Sequence, residues 1–97
     1  MTTKGFHIEW RPEARQDLHG IVRHIGKDSA TRAARFGQGI RDKVGNLARH
    51  PALGRPGRIT GIRELVVHPN YIVFYRVKPK AGVVEILRVK HAAQQMP

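Results

Sequence analysis

Four side chains in the last third of the chain are of types that handle anions and protons: Arg63, Arg76, Arg88 and His91. Each arginine can grip a carboxylate or a phosphate with two parallel bonds, and a histidine can give or take a proton near neutrality. Set on adjacent strands, the four could approach one scissile phosphate. The cations would hold a doubly charged phosphorane, and the histidine would move a proton. The alternative is structural: arginines solvated or paired with acids, and His91 bonded to the tail that follows it.

Other chemistries find less support. His19 and His24 are five residues apart and do not share a helical face as two ligands four apart would, and no carboxylate cluster joins them, so no metal is expected. Ser29 is the single serine and stands where a helix should begin, so capping explains it better than nucleophilic attack. Gly54, Gly57 and Gly61 match neither a Walker loop nor a dinucleotide fingerprint, and residues 51–61, PALGRPGRITG, read as a connector. The first helix shows no helix-turn-helix glycine pattern. No cofactor is expected.

The elements that must position these residues follow from periodicity. Phe6, Ile8 and Trp10 alternate with His7, Glu9 and Arg11, which predicts a half-buried strand over 6–11. Pro12 suits the first turn of a helix. Ala14, Leu18, Ile21 and Ile25 then form an apolar stripe, and Arg15, His19, Arg23 and Lys27 a cationic one. Gly26 ends that helix and Asp28 or Ser29 caps a second, antiparallel one, in which Ala33, Phe36, Ile40, Val44 and Leu47 keep helical spacing up to Arg49. His50-Pro51 stops it. Gly37, Gly39 and Gly45 weaken this helix, and close packing on its neighbour would compensate.

Three strands close the chain, over 62–68, 71–78 and 83–91. They are joined by Pro69-Asn70, where asparagine tolerates positive φ, and by KPKAG. Connections this short make them an antiparallel meander. The expected fold is α+β: an N-terminal strand, a two-helix hairpin and a three-stranded meander, one domain over 1–97. On the middle strand Tyr71, Val73, Tyr75 and Val77 face one way and Ile72, Phe74, Arg76 and Lys78 the other. Two helices cover one side only, so apolar surface on the second side is expected to await a partner.

Composition narrows that partner. Eighteen Lys and Arg against seven Asp and Glu give a formal charge of +11, which favours phosphate polymers or acidic proteins. There is no cysteine, no secretory signal and no run long enough to span a bilayer, so a soluble cytoplasmic protein without membrane contact is expected.

The segments RELVVHPNYIVFYRV and VEILRVKHAAQQMP, with PEARQDL after the first strand, resemble the RelE/ParE family of bacterial toxins from type II toxin–antitoxin modules. The likeness covers nearly the whole chain. It implies a microbial RNase-like α+β fold and a co-expressed acidic antitoxin that wraps the toxin as it folds, with oligomers formed through that complex. RelE-like members are mRNA interferases acting in the ribosomal A site. ParE-like members, the branch that includes plasmid stabilisation proteins, poison DNA gyrase and are not nucleases.

Against the interferase pattern, the strand over 62–68 lacks a lysine pair and a phosphate-facing arginine; Leu65 and Val67 stand there instead. The aromatic residue expected shortly after His91 is also missing. The resemblance is therefore to the ParE-like branch, with gyrase as the expected target. The alternatives are an mRNA interferase acting on ribosome-bound message through His91, Arg63, Arg76 and Arg88, and a non-toxic antitoxin-binding domain. Arg15, Arg23, Arg63, Arg76 and Arg88 are expected to meet the antitoxin's acids on the outer face of the helical hairpin and the meander edge.

Overall fold

A computed structural model of the chain describes residues 5–93. The elements are β1 (His7–Trp10), α1 (Pro12–Gly26), α2 (Ala30–Gly45), a 3-10 turn (Asn46–Ala48), β2 (Arg55–Pro56), β3 (Arg63–His68), β4 (Tyr71–Lys78) and β5 (Val83–His91). Pro12 opens α1, and the Ser29 hydroxyl accepts the Arg32 N–H at 3.2 Å to cap α2. Gly26 lies against Ala33 and Val22 against Gly37, so one helix rises as the other descends. α2 ends at Gly45, four residues before Arg49, and the 3-10 turn carries the chain to His50-Pro51.

The strands form one mixed sheet in the order β1-β5-β4-β3-β2. The expected meander is present as β3, β4 and β5, but the sheet has five strands. β1 pairs parallel to β5, from His7 against Val83 to Trp10 against Ile86. A parallel neighbour needs a long crossover, and the helical hairpin with the meander supplies one. β2 lies within the segment read as a connector and pairs antiparallel with Arg63 and Glu64. At two residues, one of them proline, it has too little pattern to announce itself, and proline is tolerated there because the strand is an edge.

Tyr75 fixes that edge. It is fully buried, its hydroxyl donates to the Pro51 carbonyl at 2.7 Å, and it accepts the Gly54 N–H at 2.8 Å. A Cβ on Gly54 would come within 2.7 Å of the Tyr75 ring and of the Glu64 carbonyl oxygen, so only glycine permits this approach.

Helices and sheet enclose a core of Ala14, Leu18, Ile40, Val44, Leu47, Leu65, Val67, Val73, Tyr75, Val84, Ile86 and Val89. The second sheet face is less bare than expected. Phe74 is buried, and Glu85 is buried with cations gathered over it. Exposed large apolar side chains among the described residues are Val66 (52%), Leu53 (54%) and Ile59, on β3 and in the loop before it. The Pro69-Asn70 turn uses no positive φ; the Asn70 N–H bonds the His68 Nδ1 at 3.1 Å instead. Of the helix-two glycines only Gly37 packs closely, since Gly39 and Gly45 face open space. No helix among the described residues is long and apolar enough to cross a membrane.

Candidate functional site

β1 reaches only as far as Ile86, whose carbonyl accepts the Arg11 N–H at 2.9 Å. Beyond it, no described strand pairs with the outer edge of β5. Asp17 closes part of that edge from α1: its Oδ2 accepts the Val89 N–H at 3.0 Å, and its two oxygens take the Arg88 guanidinium at 2.7 and 2.9 Å. Burial works against ionisation of Asp17, but Arg88 and the Val89 N–H outweigh it, and the carboxyl sits below its ordinary range. Arg88 is thus bidentate to an internal acid.

Arg76 is engaged in a similar way. Its Nη2 lies 2.7 Å and its Nε 3.2 Å from one Glu85 oxygen, with Arg11 and Lys78 each at 3.5 Å from that carboxylate. The Arg76 bonds, opposed by burial and helped by Lys78 and Arg11, hold Glu85 below the usual carboxyl range. Arg63 donates to the Gly54 carbonyl at 2.6 Å, which ties β3 to the edge loop.

His91 shares a cleft with Asp17, the partner of Arg88, but stands at the other end of the β4–β5 ladder from Arg76. It pairs with Tyr71 across the ladder, while Arg76 pairs with Glu85. The two positions are five steps apart on β4, about 17 Å along the strand. The His91 Nδ1 accepts the Ala93 N–H at 3.1 Å, and its ring meets the edge of Tyr71 at 5.3 Å. Tyr71 belongs to an aromatic group with Phe36 and His68, with centroids 5.2 to 5.9 Å apart, which the sequence reading did not single out. Arg63, Arg76, Arg88 and His91 therefore do not converge on a single phosphate-sized point. Leu65 and Val67, at the positions noted for their missing cations, are core residues on β3.

The remaining predicted cations lie on α1. Arg15 and Arg23 are exposed, and Arg23 contacts the His19 Nε2 at 3.3 Å. Arg15 shares a groove of about 370 Å³ with Trp10, Leu18, His19, Val22 and Arg41. No set of three or more His, Cys, Asp or Glu side chains placed to hold a metal occurs among the described residues.

What this arrangement offers is a cationic hairpin surface beside a sheet whose arginines are held internally. The chain as a whole is similar to known proteins. The family model described as the ParE toxin of type II toxin–antitoxin systems, parDE, matches residues 8–96. Y4kP of Sinorhizobium fredii, a protein assigned as a toxin, is 45% identical over 91 residues, covering 93% of this chain and 92% of the relative. Toxin RelE2 of Caulobacter vibrioides is 37% identical over 87 residues, covering 90% and 96%. A chain of the chromosomal ParDE toxin–antitoxin system of P. aeruginosa superposes with a TM-score of 0.79 at 25% identity, covering 92% of this chain and 98% of that one. A chain of the RelBE2 toxin–antitoxin complex of Mycobacterium tuberculosis gives 0.61 at 25% identity, covering 96% and 98%. The chain belongs to the ParE toxin family of type II toxin–antitoxin systems.

Proposed function

We propose that this toxin arrests growth in the cytoplasm by binding a macromolecular target, DNA gyrase, rather than by cutting RNA, and that an acidic antitoxin neutralises it. The observation that carries this reading is the dispersal of the candidate nuclease set. Cleavage without a metal needs a base, an acid and cations around one phosphate. Here Arg88 is closed on Asp17, Arg76 on Glu85 and Arg63 on the Gly54 carbonyl, and His91 lies at the far end of the ladder. The ParE branch of the family resemblance supplies the target. Solved relatives found as toxin–antitoxin assemblies support the partner, and a formal charge of +11 suits an acidic one.

Purified protein added to gyrase is expected to inhibit supercoiling and to trap cleaved DNA, with ribosome-bound message left intact in primer extension. Cuts within A-site codons, with normal supercoiling, would replace this reading by the interferase one. Neither signal, with the antitoxin still bound, would leave a non-toxic antitoxin-binding domain.

A further inference from the structure

The helical hairpin holds a second, differently built cationic site. The groove lined by Trp10, Arg15, Leu18, His19, Val22 and Arg41 has an apolar floor, because Leu18 is buried and Trp10 and Val22 are half-buried. Two guanidinium groups from different helices line it, and no carboxylate among the described residues does. Neither Arg15 nor Arg41 forms an ion pair among the described residues, whereas Arg11, Arg55, Arg76 and Arg88 do. Gathering like charges in one groove costs Coulomb energy that an incoming anion would relieve.

Arg41 is seated there by a particular residue. Gly37 lies one helical turn before it, and a Cβ at Gly37 would stand 3.2 Å from the Arg41 Nη1 and 3.1 Å from the Val22 Cγ2. The missing side chain lets the guanidinium lie down toward the helix–helix seam beside Val22. His19 contributes no anion, and its Nε2 faces the Arg23 guanidinium, which places a third cation near the groove.

We propose that this groove seats an acidic, apolar-flanked peptide segment of the antitoxin, with its carboxylate between Arg15 and Arg41 and a neighbouring aliphatic side chain over Trp10 and Val22. The inference rests on the antitoxin reading above and narrows its acidic contact, expected at both hairpin and sheet arginines, to Arg15 on the hairpin together with Arg41. Charge complementarity selects an anion. The half-buried indole over an aliphatic floor favours a peptide over a nucleic-acid strand, whose bases need an open ring face to stack on.

Trp10 is the single tryptophan of the chain, so its emission reports on the groove directly. The probe is the antitoxin expressed from the reading frame that accompanies the toxin gene, titrated into the full chain. Binding is expected to shift Trp10 emission to the blue. The double variant R15Q/R41Q, with unchanged circular dichroism, is expected to lose at least about tenfold in affinity. R15K/R41K should keep most of the wild-type affinity, and the remote control K80Q all of it. If the complex forms but emission stays fixed and R15Q/R41Q binds like wild type, the groove assignment is overturned while the antitoxin reading stands. A single-stranded 12-mer RNA that shifts the emission and competes with the antitoxin would overturn it in favour of nucleic acid. If the wild-type chain does not bind the antitoxin, the partner reading fails and this inference falls with it.

Discussion

The arginines of the sheet and those of the helical hairpin carry the same charge and do opposite things. On the sheet, Arg88 and Arg76 point at carboxylates their own chain provides, Asp17 and Glu85. On the hairpin, Arg15 and Arg41 face a groove with no acid in its lining among the described residues. The first kind of site is closed by the fold, and its charges hold helix to strand and strand to strand. The second is left for a visitor. A net charge of +11 therefore overstates what the sheet offers a partner and understates how local the hairpin's offer is. The two kinds could not be told apart by residue type, only by where the seven acids go.

The sharpest way to break the contrast is to remove the acid that closes the sheet site. Asp17→Ala leaves the buried Val89 N–H without its acceptor and frees Arg88, and a loss of about 2–3 kcal/mol is expected in urea unfolding. An unchanged midpoint would mean that the Asp17 clamp is not structural.

Glu85→Ala should cost less, about 1 kcal/mol. The burial penalty of the carboxylate disappears with it, and Arg76, Lys78 and Arg11 are about half exposed and can return to water. A loss as large as that of Asp17→Ala would show the two clamps to be equivalent.

Acid should loosen both together. Asp17 and Glu85 have depressed pKa values in the fold, so the unfolded chain takes up their protons first as pH falls. Their stabilisation is complete above about pH 5 and is lost as pH drops through the folded-state values. Urea midpoints measured across that range should show this acid limb, and Asp17→Ala should flatten part of it.

The smallest effect belongs to the hairpin. R15Q/R41Q should leave stability within about 0.5 kcal/mol of wild type, because no internal partner is removed. A large loss would place these arginines with the structural ones.

Much of the scaffold could be read before any coordinates. The alternation over 6–11, Pro12, the Ser29 cap and the three closing strands all carry strong local signals, and each survives in the fold. The signals fail where the information is not local. Nothing near β1 says that it lies parallel to β5, and the register shift that sets Phe74 against Arg88 but Tyr75 against Ile86 depends on pairing across the sheet. β2 exists because buried Tyr75 reaches out of the core to Pro51 and Gly54, a contact more than 20 residues long in sequence. The same holds for Arg88 and Asp17, which are 71 residues apart. One clue was available: Asp17 lies three residues after Ala14 and four before Ile21, at the margin of the apolar stripe, where a carboxylate needs a cation or an N–H to be tolerated. Arg41 gave no comparable clue, since its place depends on the room that Gly37 leaves beside Val22.

The claim on which the account turns is that His91 and the sheet arginines form no cleavage site, so toxicity must not depend on His91. The direct measurement is growth after induction of His91→Ala in the absence of antitoxin, with transcripts mapped in the same cells. The account predicts arrest as severe as with the wild-type chain and uncut messages in both. Restored growth with His91→Ala still folded, together with the disappearance of A-site cuts seen for the wild type, would contradict it.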